Sequence, residues 1–100
     1  MKPKLQVSEA QTQKAIREYL EYNKWKIHKL TIPRYSKGKG LPDLLCLKGE
    51  ILLFAEIKSP TVYYKATKEQ EQFFEDLRKV RHLKGGVFRS IEEVKEILGV

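Results

Sequence analysis

Three charged residues stand where two apolar runs would otherwise continue. Asp43 follows Pro42 and opens the run 44–47. Glu56 and Lys58 break the run that starts Ile51-Leu52-Leu53-Phe54-Ala55. An unpaired carboxylate inside a dry strand costs several kcal/mol, so Glu56 needs a cation beside it. Alternation along a strand puts Glu56 and Lys58, two residues apart, on one face. Two carboxylates and a lysine meeting at a sheet end suit a hard divalent cation and an activated water. The competing reading is an ordinary surface pair with Asp43 as a turn residue, which explains any one of these charges better than all three together.

The runs must be a hairpin for Asp43 to join the pair. With Lys48-Gly49 as a two-residue loop, Leu47 pairs with Glu50 and Asp43 falls opposite Phe54. Asp43 is then diagonal to Glu56 on the same face. A loop one residue longer turns it to the other face.

Pro42-Asp43, then Glu56-Ile57-Lys58 thirteen positions on, resembles the PD-(D/E)xK motif of restriction-type nucleases. With Gly40 before it and Thr67-Lys68-Glu69-Gln70 after it, the stretch resembles the virus-type replication-repair nuclease domain, VRR-NUC. The resemblance runs from about Ser8 to Phe88. It implies a restriction-endonuclease-like core and an endodeoxyribonuclease activity that uses Mg²⁺, with Mn²⁺ able to substitute. Asp43 and Glu56 would ligate the metal, with the Ile57 backbone carbonyl as a further oxygen. Lys58 would hold or activate the attacking water and stabilise the pentavalent phosphate. It also implies that small stand-alone members act as homodimers on branched DNA such as four-way (Holliday) junctions, in replication and repair. One departure stands out. The family's connection to the glutamine helix is shorter and carries Gly and a basic residue, where this chain has Val62-Tyr63-Tyr64-Lys65. That departure leaves open whether Lys65 takes the basic residue's place.

Two helix starts bring further candidates. Ser8 and Gln11 make a capping-box pattern for a helix from about Glu9 to Tyr22, with Ile16, Tyr19 and Leu20 inward. Glu9 lies at the amino end of that stripe. On spacing alone it is as much a first-turn acid favoured by the helix dipole as a site residue. The resemblance has this glutamate reach the metal site, directly or through water. Thr67 and Gln70 repeat the box for a second helix, whose inward stripe is Phe73, Phe74, Leu77 and Val80. Gln70 opens that stripe, and the resemblance assigns it to the catalytic site.

The remaining elements follow in order. Lys24 to Leu30 alternates as a half-exposed strand, with His28 on its polar side. Residues 31–42 form a basic loop with Gly and Pro. In it Arg34, Lys37 and Lys39 offer charge for phosphate, and Tyr35 a face for an unpaired base. Lys65 joins them as a candidate nucleic-acid contact. No GxxxxGK[ST] is present, which excludes a P-loop. Gly85-Gly86-Val87-Phe88 reads as a short strand, and Ser90 caps a last helix with Ile91, Val94, Ile97 and Leu98 inward. The order is αβββαβα, an α/β class with a mixed central sheet flanked by helices.

The 100 residues suffice for a single domain over 1–100 with one modest core. Lys and Arg outnumber Asp and Glu by 20 to 13, a net charge of +7, which suits a polyanion. The run from Lys24 to Lys39 has six basic residues and no acid, and Arg78 to Arg89 has five and none. The single cysteine, Cys46, excludes an internal disulfide and any CxxC zinc pattern. No apolar run spans a bilayer and no signal peptide opens the chain, so a cytoplasmic protein without membrane contact is expected. A homodimer is expected, with Tyr22, Trp25, Tyr63 and Tyr64 as candidate interface aromatics; the competing reading keeps Trp25 in the core and uses the tyrosines to stack on DNA. Two rivals remain: a monomeric flap or nick nuclease, and a non-catalytic basic nucleic-acid-binding module.

Overall fold

The computed structural model describes residues 7–30, 41–61 and 66–100. Its elements are α1 (Glu9–Tyr22), β1 (Lys26–Lys29), β2 (Leu44–Lys48), β3 (Ile51–Ile57), α2 (Lys68–Arg78), β4 (Leu83–Phe88) and α3 (Ile91–Leu98). This is the expected αβββαβα order. The four strands form one sheet in the order β1-β2-β3-β4. β1, β2 and β3 run antiparallel in sequence, and β4 is parallel to β3. A parallel return needs a crossover, which α2 provides.

Alternation on β3 decides which helix lies where. Leu53, Ala55 and Ile57 point to one face and are fully buried with Leu44, Cys46 and Phe88. Ile16 and Leu20 of α1 and Val94 of α3 close this core, and Trp25 joins it. Phe54 and Glu56 point to the other face, under α2. There Phe54 meets Phe73 edge-on, with ring centroids 5.2 Å apart. Helix α2 also comes down onto β4 at Gly85. A Cβ at that position would lie 2.7 Å from Leu77 Cδ1 and 2.9 Å from the Phe54 carbonyl oxygen, so only glycine permits this approach.

The hairpin departs from the expected register. Lys48 pairs with Ile51, and the loop is Gly49-Glu50 rather than Lys48-Gly49. Gly49 takes φ +58°, which a glycine adopts freely at the first position of a two-residue loop. The loop keeps two residues, so every side chain keeps its face while the pairing slides by two. Leu44 pairs with Ala55, and the next rung sets Asp43 opposite Glu56 rather than Phe54.

Three assignments also change. Val80 is 51% exposed, because α2 ends at Arg78 and the chain turns away before it. Ile97 is 40% exposed on the last turn of α3, whereas Val94 is buried. Trp25 is a core residue at 7% exposure, which removes it from the candidate interface aromatics; Tyr22 is open to solvent. Tyr63 and Tyr64 lie outside the described residues. Among the described residues no helix is long and apolar enough to cross a membrane.

Candidate active site

Glu56 is the buried centre of the site, at 4% exposure near the end of β3. Its Oε2 accepts a hydrogen bond from the Gln70 side-chain amide at 2.5 Å. Its Oε1 is buried and receives no hydrogen bond among the described residues. Asp43, the residue before β2, faces Glu56 one rung beyond the Leu44–Ala55 pair. Two carboxylates side by side offer only acceptors, so they must share a proton or a cation. Burial first, then the neighbouring Asp43 carboxyl, push the Glu56 carboxyl up to about 7; Lys58 and Gln70 oppose this.

Lys58 links the site to α1. Its Nζ stands 3.9 Å from Glu56 Oε2 and 3.9 Å from Glu9 Oε1. Alternation brings it to the Glu56 face, as its spacing requires. Its backbone N–H donates to the Phe88 carbonyl at 3.0 Å, which carries the β3–β4 ladder one rung past the strand end.

Gln70 reaches Glu56 because two local preferences agree. The Thr67 hydroxyl accepts the Gln70 backbone N–H at 3.2 Å and so starts α2 at a fixed point. From there Gln70, Phe74 and Leu77 occupy one buried stripe over the sheet, and Gln70 is the member nearest the end of β3. The cap and the site contact coexist, but among the described residues the return half of the expected box, from the Gln70 side chain to the Thr67 N–H, is not formed. Ser8 similarly caps α1, with both halves of the expected capping box formed.

The five candidates Glu9, Asp43, Glu56, Lys58 and Gln70 thus gather at one sheet end, but not as equals. Glu9 is half exposed and meets the others through the Lys58 ammonium. Among the described residues no three His, Cys, Asp or Glu side chains converge on one point. The oxygen donors are the Asp43–Glu56 pair, with the neighbouring Ile57 carbonyl of the same strand end as the further candidate. An orphaned buried carboxylate oxygen beside a second carboxylate fits a hard divalent cation; a donor set of oxygens alone, without thiolate or paired imidazoles, argues against zinc. Arg34, Tyr35, Lys37, Lys39 and Lys65 lie outside the described residues. His28 lies on β1, at the polar-side position its alternation suggested.

One residue at this end escaped the sequence reading. Ile57 pairs with Phe88, so the next rung sets Arg89 beside Lys58. Its backbone N–H donates to Glu93 Oε1 at 2.9 Å. Its membership of a basic run was visible, but its place depends on the parallel pairing of β3 with β4, which no local pattern reveals.

No family model matches the chain, and no curated protein matches it. A solved structure described as a VRR_NUC domain does match, with a TM-score of 0.67 and 26% identity. The match covers 93% of this chain and 97% of that one. The likeness read from Pro42-Asp43, Glu56-Ile57-Lys58 and the flanking helices is therefore met by a likeness of the whole architecture, and the chain has the fold of a VRR_NUC domain.

Proposed function

We propose that this protein is a metal-dependent DNA endonuclease of the PD-(D/E)xK type. The observation that carries this reading is the Asp43–Glu56 pair, with an orphaned and buried Glu56 Oε1, beside the Lys58 ammonium. Asp43 and Glu56 would hold Mg²⁺ or Mn²⁺, with the Ile57 carbonyl as a further ligand. When bound, the cation would polarise a phosphate oxygen and make water acidic enough to attack at neutral pH.

The chain's own groups supply the rest. Gln70 fixes Glu56 through its amide, so Oε1 keeps one direction. Lys58 brings a positive charge to the edge of the carboxylate pair, where a phosphate gains charge as it becomes pentavalent. Glu9, 3.9 Å from Lys58, restrains where that ammonium sits. Arg89, on the same rung as Lys58, suits a neighbouring phosphate of the same strand. Arg34, Tyr35, Lys37, Lys39 and Lys65 are proposed to contact DNA.

The preferred substrate is proposed to be a four-way junction cut by a homodimer. A site that cuts one strand must be present twice to resolve a junction symmetrically, and a two-fold dimer supplies two copies. The exposed Tyr22 remains a candidate for that interface, and Trp25 does not. The test compares a junction, a flap and a linear duplex, cut by wild type and Asp43→Ala, with and without EDTA. Metal-dependent cleavage lost in the variant supports the reading. Cleavage that survives EDTA, or an equally active variant, refutes it.

A further inference from the structure

We infer that Ser59 and Thr61 form a clasp that holds the head of α1 on the end of β3, and that Ser59 is thereby a positioning residue for DNA cleavage. This rests on the function proposed above. The clasp closes on the backbone of Val7. Ser59 Oγ donates to the Val7 carbonyl, and Thr61 Oγ1 lies 3.2 Å from the same oxygen as a second donor. The Val7 N–H donates back to Thr61 Oγ1 at 3.3 Å. The Thr61 N–H donates to Ser59 Oγ at 3.2 Å, and the two hydroxyl oxygens are 3.1 Å apart. Both polar groups of Val7 are thus taken up by two side chains more than fifty residues away in sequence.

Covalent neighbours make this arrangement consequential. Ser59 directly follows Lys58, and Val7 precedes the Ser8 cap and Glu9. The clasp therefore joins the two chain segments that carry the partners of the Glu9–Lys58 ion pair, one to three residues from each. Ser59 is buried at 7% exposure, and a hydroxyl there needs a reason. A 3.9 Å pair between a half-exposed glutamate and a lysine does not hold itself in place, because solvent weakens it. The hydrogen-bonded backbone does. Lys58 Nζ stands 3.9 Å from both Glu9 and Glu56, and the clasp ties together the two backbone segments that set the Glu9 side of that spacing.

The test is a double-mutant cycle on cleavage of a DNA substrate by the full chain. Ser59→Ala is expected to lower kcat by about tenfold to a hundredfold with KM nearly unchanged, the scale of a misplaced reacting group. Thr61→Val, at an exposed position, removes the second hydroxyl without endangering the core and is expected to lower kcat in the same direction. In a Glu9→Gln background, Ser59→Ala is expected to add less than about twofold, because coupled residues are not additive. Amide exchange at Gln11 and Thr12, which are bonded to Ser8, gives a readout independent of activity and is expected to speed up in Ser59→Ala. The clasp is overturned if wild type cuts and Ser59→Ala and Thr61→Val match it, if Glu9→Gln is fully active, or if the two losses simply multiply. A wild type that cuts no DNA under any metal overturns the proposed function and the positioning role together.

Discussion

Replacing Glu56 by glutamine should make the metal-free protein more stable at neutral pH, although the residue lies at the heart of the site. The Glu56 carboxyl is pushed from 4.5 up to about 7, chiefly by burial and next by Asp43. A raised value in the folded state means that folding favours the protonated form. The associated stability is fully present below pH 4.5 and is lost as pH rises through about 7. That shift corresponds to a loss on the order of 3 kcal/mol above pH 7. The Glu56→Gln variant would escape the loss. The oxygen of its new side chain accepts from the Gln70 amide, and the new amide group donates towards Asp43. For a domain of this size the difference amounts to a Tm higher by roughly 10–20 °C at pH 8. At pH 4.5 the two proteins should differ little. The assay is urea denaturation of both proteins in EDTA from pH 4.5 to 8.5. Taking the difference cancels histidines and other groups common to both. Adding Mg²⁺ should close part of the gap by stabilising only the wild type. Parallel stability curves across this range would refute the claim that the carboxyl pair is strained when metal-free.

Three further outcomes are expected. Lys58→Ala should abolish cleavage while DNA affinity, measured by fluorescence anisotropy, stays within about threefold, since one phosphate contact among many is lost; equal losses in both would make Lys58 a binding residue. Arg89→Ala should weaken DNA binding and reduce the slope of log K against log salt by roughly 0.9, the signature of one lost phosphate contact on duplex DNA; an unchanged slope would remove Arg89 from the interface. Gly85→Ala should destabilise the fold by about 1–3 kcal/mol in urea titration, because its methyl group meets Leu77 and the Phe54 carbonyl at under 3 Å.

Much of the site was legible because it depends on parity and caps, which are local. Glu56 and Lys58 share a face by alternation alone. Asp43 stays on that face under either two-residue loop, so the misplaced turn altered its opposite neighbour but not its side of the sheet. Thr67 fixes the start of α2, and from that start the helical period carries Gln70 over the sheet. What was not legible depends on packing between distant segments. Trp25 fits an interface as well as a core until α1 and α3 are set against the sheet. Val80 continues a helical stripe that the chain has already left. The Ser59–Val7 contact and the place of Arg89 follow from how α1 and β4 meet β3, and neither residue has a local signature that points to its partner. The basic stretch around Lys37 and Lys39 lies outside the described residues and keeps its sequence-based reading, as a grip on phosphate to be tested by the salt dependence of binding.

The central claim is that Asp43 and Glu56 together hold one divalent cation. Titration of Mn²⁺ into the DNA-free protein, followed by electron paramagnetic resonance of the free ion, tests it most directly. One saturable site is expected in the wild type, competed by Mg²⁺ and lost in both Asp43→Asn and Glu56→Gln. Lys58→Ala should retain the site, and bind somewhat more tightly for want of the ammonium. A wild type without a saturable site, or variants that bind Mn²⁺ as well as it does, would contradict the claim.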